Sequence, residues 1–108
     1  MSTYTPDLWV VVEIDYDGEV IKKVLASWYG GYLGSDSWKL SSGITEVKEF
    51  DDRYEFVNHS GSIYVCYKPL WGMSGYTNSV YNDLVKQAEA APNADIRVCD
   101  EFEEKSGG

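Results

Sequence analysis

Few residues of this sequence belong to the types that most often carry catalysis or hold metals. There is one histidine, His59, and there are two cysteines, Cys66 and Cys99, among 108 residues. The three lie in separate segments and show none of the C-x-x-C or H-x-x-x-H spacings that structural zinc sites use. We therefore expect no metal site and no cofactor. Without an N-terminal secretory signal, two cysteines also indicate reduced thiols rather than a disulfide framework.

Basic residues and long apolar runs are scarce as well. Lys and Arg number 9 against 18 Asp and Glu, which gives a net charge of −9. Such a charge repels nucleic-acid phosphates and anionic membrane surfaces, so we expect no direct nucleic-acid contact. No apolar run approaches the ~18 residues of a membrane-spanning helix, so we expect no membrane segment and a cytoplasmic protein. The acidity either only keeps the protein soluble or serves to bind a basic protein partner.

The short motifs that resemble catalytic or ligand-binding signatures are each explained by local structure. His59 and Ser60 are neighbours in sequence, whereas a catalytic base and its nucleophile must meet in space. The stretch GMSG is one residue short of a G-x-S-x-G elbow, and its Ser74 is better explained as a helix N-cap. DYDGE lacks the third acid and the terminal glutamate of a calcium loop. We expect a non-enzymatic protein; a small enzyme or ligand-binding domain that uses His59 is the alternative.

The segment LWVVVEIDYDGEVIKKVLASWY, residues 8–29, predicts a β-hairpin. Asp17–Gly18 is a type I′ turn signature, because both central residues of that turn need a positive φ. A two-residue loop places Glu13 opposite Lys22, and opposite charges across strands stabilise a pairing. Both faces of the hairpin carry apolar residues, so we expect it inside the sheet rather than at a bare edge.

Residues 44–68 predict a three-strand meander with turns at 50–53 and 59–62. That pairing aligns Val47, Phe56 and Val65 on one face of the sheet. It places Lys48 opposite Glu55 on the second, more polar face. Cys66 is expected on that second face as well, next to Glu55.

The hydrophobic period then changes, because Val80, Leu84 and Ala88 recur every four residues. This spacing predicts one amphipathic helix over about 75–91, capped by Ser74, and ADIRVCDEF predicts a last short strand. We expect a single α+β domain over 1–108, ordered at about 7–102 and followed by an acidic C-terminal tail, 103–108. Its mainly antiparallel sheet contains the N-terminal hairpin, the meander and the C-terminal strand, and packs against the helix.

The stretch WYGGYLGSDSW, residues 28–38, interleaves aromatics with glycines as no other part of the chain does. A phosphate-binding loop is not expected, because no helical period follows and Asp36 would repel the phosphate. The Gly30–Gly31 pair favours a bulge or bend at the end of the second strand.

Two interpretations of its aromatic residues stay open. Trp28, Tyr32 and Trp38 either fold back to cap one end of the core or form an exposed patch for a partner, since Trp and Tyr are over-represented at interface hot spots. The candidate partner surface comprises Trp28, Tyr29, Tyr32, Asp36 and Trp38.

SWYGGYLGSDSWKLSSGI, NHSGSIYVCYK and GMSGYTNSVY together resemble small accessory proteins of tailed bacteriophages and prophages, over about residues 8–90. The resemblance brings no catalytic residues with it. It implies a protein that acts in the cytoplasm of a host cell and binds, modulates or inhibits a host protein, such as a nucleic-acid-binding or defence protein. The partner would offer a basic or aromatic-accepting surface. A homo-oligomeric phage structural or assembly component that associates through an open sheet edge is a further alternative.

Overall fold

The computed structural model describes residues 2–30 and 34–103 and confirms the α+β class. Within these residues, eight strands and one α-helix follow one another: β1 (Thr3–Tyr4), β2 (Leu8–Tyr16), β3 (Glu19–Trp28), β4 (Ser37–Leu40), β5 (Ile44–Glu49), β6 (Arg53–Asn58), β7 (Ile63–Tyr67), α1 (Gly75–Ala90) and β8 (Ala94–Cys99). Short 3₁₀ turns follow β7 and β8, at Lys68–Leu70 and Asp100–Phe102. The strands form two four-stranded sheets: an outer sheet of order β1-β7-β6-β5 and a central sheet of order β4-β3-β2-β8. The sequence predicts β2, β3, β5, β6, β7 and β8, but neither the two short strands β1 and β4 nor the division into two sheets.

The β2–β3 hairpin has the predicted turn and the predicted register. Asp17 and Gly18 have φ of 56° and 87°, as a type I′ turn requires. Glu13 lies opposite Lys22, and the other pairs follow from the same two-residue loop. β8 then pairs with the free side of β2, and β4 pairs with the free side of β3. The hairpin is therefore interior to its sheet, as its two apolar faces predict.

The meander follows the prediction in its first half and departs from it in the second. Val47 lies opposite Phe56 and Lys48 opposite Glu55, as expected. Phe56, however, lies opposite Tyr64 rather than Val65. The reason is the β6–β7 turn, which is one residue shorter than predicted because the Asn58 N–H donates to the Ser62 carbonyl at 2.9 Å.

A one-residue change of register moves every side chain of a strand to the opposite face. Gly61 makes the shorter loop possible, because its φ of 89° is the left-handed conformation that ends a three-residue hairpin loop. Cys66 consequently lies opposite Tyr54 and is completely buried, so its predicted place on the polar face beside Glu55 is wrong. Val65 takes that place opposite Glu55.

Both faces of the central sheet are covered, each by a different layer. Towards the outer sheet, buried side chains of β2 and β3 meet those of β6 and β7 in one cluster: Trp9, Val11, Val24, Ala26, Phe56, Tyr64 and Cys66. Phe102 and Cys99 close this cluster at one end. Towards α1, the alternate residues Val10, Val12, Leu25 and Ile96 form a second cluster. The order of layers is thus outer sheet, central sheet, helix.

The helix begins and ends close to the predicted residues. The Ser74 hydroxyl accepts a hydrogen bond from the Thr77 N–H at 3.2 Å, which is the expected N-cap. Val80, Leu84 and Ala88 face the central sheet. The helix ends at Ala90, one residue earlier than predicted and just before Pro92. Within residues 2–30 and 34–103, no helix combines the length and the apolar character needed to cross a membrane.

Candidate functional site

Part of the candidate partner surface lies between β3 and β4, and two carboxylates accept hydrogen bonds from consecutive backbone N–H groups just after β3. Asp7 accepts a hydrogen bond from the Tyr29 N–H at 2.8 Å, just beyond the end of β3. Asp36 accepts one from the Gly30 N–H at 3.0 Å, just before β4 begins. Asp36 was expected to be part of a partner surface; its carboxylate is engaged within its own loop and holds the loop backbone in place.

Gly30 allows this segment to fold back tightly on itself. Its carbonyl accepts a hydrogen bond from the Gly34 N–H at 3.1 Å. A Cβ at Gly30 would lie 2.3 Å from the carbonyl carbon of Ser35, far inside van der Waals contact. A glycine is required here because the two backbone stretches approach each other so closely. Tyr32 and Gly31, which the sequence analysis singled out, lie outside the described residues.

The two tryptophans of the segment lie on opposite faces of the central sheet. They pair with consecutive residues of neighbouring strands, Trp28 with Ser37 and Trp38 with Ser27, and side chains alternate between faces along a strand. Trp28 is half-buried and donates its indole N–H to the Thr5 carbonyl at 3.0 Å. Its ring also meets the ring of Tyr4 edge-on, with centroids 6.2 Å apart. Trp28 therefore closes one end of the core.

Among the described residues of the stretch 28–38, Tyr29 and Trp38 are the exposed aromatic ones. Tyr29 is 59% exposed and Trp38 is 42% exposed. The structure thus separates the predicted surface into Trp28, which packs inward, Asp36, which holds the loop, and these two exposed rings.

A polar cleft of about 420 Å³ lies on the face of the central sheet that carries Trp28, between β4, β1 and β7. Its hydroxyls bond to one another: Ser42 Oγ donates to Ser60 Oγ at 3.0 Å, and Ser60 Oγ lies 3.1 Å from Ser62 Oγ. Lys39 lies on the same lining, with its Nζ 5.3 Å from the centroid of the Tyr4 ring. The cleft therefore presents hydroxyl groups and one ammonium group to solvent.

Tyr64 adds a phenol to this cleft. Burial raises the pKa of Tyr64 to about 12, with smaller contributions from neighbouring Tyr4 and Cys66. Its hydroxyl is therefore protonated at neutral pH and can act as a donor or an acceptor.

Sequence reasoning missed the cleft because its lining comes from β1, β4, β7 and the β6–β7 loop, which are far apart in the chain. The pairs Ser41–Ser42 and Ser60–Ser62 were the available signal.

His59 lies in the β6–β7 loop with an exposed side chain. Its backbone N–H donates to the Gly43 carbonyl at 2.8 Å, which ties this loop to the start of β5. Its neighbour Ser60 lines the cleft, whereas His59 is absent from the residues that line it. The loop thus directs Ser60, and not the imidazole, towards the cleft.

The two cysteines are buried as unbridged thiols. Burial raises the pKa of both, and strongly that of Cys66. A thiol with a raised pKa stays protonated at neutral pH and is a poor nucleophile. In the described ranges 2–30 and 34–103, no group of three or more His, Cys, Asp or Glu side chains is arranged to hold a metal ion.

A second concave surface lies at the other side of the sandwich, where β3 and β5 run near each other. It has a volume of about 390 Å³; its apolar lining residues are Val20, Ile21, Ile44 and Val47, and Lys22, Thr45 and Glu46 complete the lining. Val20 is 52% exposed, Ile21 43% and Val47 41%, which is unusual for β-branched apolar side chains in strands. We call these four residues the edge groove.

Comparison of the chain with protein-family models, with curated proteins and with solved structures finds no match.

Proposed function

We propose that this chain is a small, acidic, non-enzymatic binding protein that contacts another protein through Tyr29 and Trp38. The observation that carries the proposal is the exposure of these two rings, at 59% and 42%, on a backbone that is held from both sides. Trp and Tyr, together with Arg, are enriched among the few residues that carry most of the binding energy of an interface.

The local backbone supports a role in recognition because it reduces the entropy lost on binding. Asp7 and Asp36 hold the peptide groups of Tyr29 and Gly30, so little backbone order remains to be gained when a partner docks. A contact surface that is ordered before binding loses less conformational entropy in the complex. Tyr and Trp also bury a large area for few rotatable bonds.

Charge and sequence resemblance point to the nature of the partner. A net charge of −9 favours association with a basic protein surface and disfavours acidic ones. The resemblance to accessory proteins of tailed phages supports a bacterial host protein as that partner, and its modulation or inhibition as the outcome.

The test is affinity capture from bacterial lysate with the wild-type chain and three single variants. We expect Trp38→Ala and Tyr29→Ala to lose a partner that the wild type retains, by tenfold or more in affinity for a hot-spot residue. Tyr16→Ala is the matched control, because Tyr16 is 60% exposed but lies at the hairpin tip, away from this segment. Equal recovery by the three variants, or no specific partner at all, would contradict the proposal.

Salt distinguishes the two contributions to binding. If Tyr29 and Trp38 dominate, affinity changes little between low and high ionic strength. If the acidic charge dominates, as in mimicry of a nucleic acid, affinity collapses over the same range. A salt-sensitive complex that tolerates Trp38→Ala would move the contact away from the aromatic pair.

The hydroxyl-lined cleft favours a second candidate function, the binding of a small polar ligand. Ser42, Ser60 and Lys39 could hydrogen-bond an anion or a sugar hydroxyl, and Tyr4 offers a ring face beside them. The test is a chemical-shift titration with inorganic phosphate and with simple sugars, for wild type and for Ser60→Ala. Shifts that are confined to the cleft and lost in Ser60→Ala would support this function; the absence of shifts with either probe would exclude these two ligand classes.

A further inference from the structure

β5 forms an open edge of the outer sheet. Its one paired neighbour within residues 2–30 and 34–103 is β6. Open strand edges are normally protected by charge, proline, a bulge or a covering segment, because an unpaired edge can bind another strand. β5 has a bulge near Thr45 at its start and is regular from Glu46 to Glu49, where the charges of Glu46, Lys48 and Glu49 discourage pairing with any strand that does not carry complementary charges.

The hydrogen-bond alternation along β5 shows which backbone groups face outward. The Phe50 N–H donates to the Arg53 carbonyl at 2.8 Å, which closes the turn into β6. In antiparallel pairing every second residue bonds to the same neighbour, so Lys48 and Glu46 also bond to β6. Val47, which lies between them, directs its N–H and C=O away from β6 and into the open edge.

We propose that β5 pairs with β5 of a second copy of this chain, in antiparallel orientation and with Val47 on the two-fold axis. The N–H and C=O groups of the two Val47 residues then form the reciprocal pair of hydrogen bonds of an antiparallel ladder. In the same register, Glu46 of each chain lies directly opposite Lys48 of the other. The two outer sheets thereby join into one sheet of eight strands, an isologous contact in which each chain offers the same surface.

Charge complementarity selects the second copy and the register. Glu46 and Lys48 form an exposed ion pair within their own chain, with Nζ and Oε2 3.9 Å apart, yet their side chains stay 58% and 52% exposed and can meet a second chain. A register centred on Glu46 or on Lys48 would place like charges face to face, and one centred on Glu49 would place two glutamates there. The sequence Glu46-Val47-Lys48 is thus self-complementary about its central residue.

The edge groove supplies apolar burial on the inner face of the joined sheet. Val47 lies opposite Phe56, so its side chain points towards the central sheet. There it lines the groove together with Val20 and Ile21. Two Val47 side chains that meet on the axis would fill the exposed part of this groove in both chains, which accounts for β-branched residues that otherwise stay in contact with water.

Charge reversal tests the register by sedimentation equilibrium and light scattering from micromolar to millimolar concentration. We expect the wild type to dimerise, and Glu46→Lys or Lys48→Glu to weaken the dimer by about 10- to 100-fold, since each places two pairs of like charges face to face. An equimolar mixture of the two variants restores a dimer, because the introduced lysine of one chain then faces the introduced glutamate of the other. Glu89→Lys on the helix and Lys86→Glu carry the same charge changes elsewhere and should leave the dimer intact.

A backbone variant tests the edge without a charge change. Val47→Pro removes an N–H that does not bond to β6, so the monomer should keep its fold by circular dichroism while the dimer is lost. A wild type that is monomeric at all concentrations overturns the proposal. A dimer whose dissociation constant is unchanged in these variants also overturns it, and so does a mixture of the two charge variants that does not form a dimer. Binding at the β5 edge that occurs only when a different protein is added overturns it as well. Tyr29 and Trp38 do not take part, so this outcome and the proposed function are tested separately.

Discussion

The two faces of the central sheet are covered to different degrees and by different kinds of side chain. Towards the outer sheet the contacts are aromatic and complete: Trp9 and Phe56 are fully buried, with ring centroids 5.6 Å apart. Phe102 meets Phe56 edge-on at 5.1 Å. Towards the helix the buried sheet residues are aliphatic, Val10, Val12 and Leu25 among them, but the helix side chains that cover them stay partly exposed, since Thr77 is the only buried residue of α1. The central sheet is therefore buried on both faces, but the covering side chains are fully buried in the outer sheet and only partly buried in the helix.

This difference indicates that the sandwich determines the fold and the helix adds to its stability. Truncation of a fully buried aromatic side chain removes the transfer free energy of its buried atoms and leaves a cavity that costs further stability. Truncation of a half-buried aliphatic side chain lowers the free energy of unfolding less, because solvent already reaches part of its surface and neighbouring side chains can relax. Substitutions on the two faces should therefore differ in their effect on the free energy of unfolding.

The largest effect is expected for Phe56→Ala, at the centre of the closed core. We expect it to lower the free energy of unfolding by about 3–5 kcal/mol, because it removes a fully buried ring and leaves a cavity. Urea denaturation followed by tryptophan fluorescence measures the change. Val57→Ala on the same strand, whose side chain points away from the core, is the control and should cost less than about 1 kcal/mol. Equal costs for the two would contradict the proposed division of roles.

Leu84→Ala tests how much the packing of the helix on the central sheet contributes to stability. Leu84 packs on the central sheet but is only half-buried, so we expect a loss of about 2 kcal/mol, the low end for truncation of a packed leucine. Lys86→Ala, on the exposed side of the same helix, should be close to neutral. If Leu84→Ala lowers the free energy of unfolding as much as Phe56→Ala does, the two layers contribute equally to stability, which would contradict the difference described above.

Ser74→Ala changes the helix without touching its packing. The variant removes the acceptor for the Thr77 N–H, and loss of an N-cap costs about 1 kcal/mol. Ser74→Asp keeps an acceptor oxygen at the same position and should retain most of the wild-type stability. A loss in the aspartate variant as large as that in the alanine variant would assign the effect to something other than capping.

Tyr64→Phe should have the smallest effect at neutral pH and a distinct effect in alkali. Burial raises the pKa of Tyr64 from 10.0 to about 12, so the folded state favours the protonated phenol. The stability that this contributes is fully present below pH 10 and is lost as the pH rises towards about 12. Without the hydroxyl, this part of the alkaline decline disappears. Parallel stability–pH curves for wild type and variant, measured by chemical denaturation between these limits, would contradict the assignment.

Local interactions explain what the sequence could predict. The β2–β3 hairpin follows from its own residues, because Asp17–Gly18 determines the turn and Glu13 opposite Lys22 supports the register. The helix follows from its period and from Ser74. The β6–β7 register could not be predicted in this way. A glycine at position 61 is compatible with a loop of three residues and with a loop of four, and only its observed positive φ shows which of the two forms.

Long-range pairing explains what the sequence could not predict. The separation into two sheets depends on the pairing of β8 with β2. The short strand β1 forms beside β7, which is distant in the chain. The short strand β4 has only the weak strand pattern SWKL and forms beside β3. The candidate surface depends on the same contacts. Pairing with β3 sends Trp28 and Trp38 to opposite faces, and Asp7 holds Tyr29 from 22 positions away.

The pairing of β2 with β8 also determines when this fold can be completed on the ribosome. β2 begins at Leu8 and its partner β8 ends at Cys99, so the central sheet pairs a strand that is synthesised early with one that is synthesised much later. Until residues 94–99 leave the exit tunnel, β2 has an unpaired edge, and Phe102, which closes the aromatic core, is missing. A nascent chain stalled before this point therefore exposes β-branched strands and aromatic rings together, the combination that chaperones bind and that aggregates most readily.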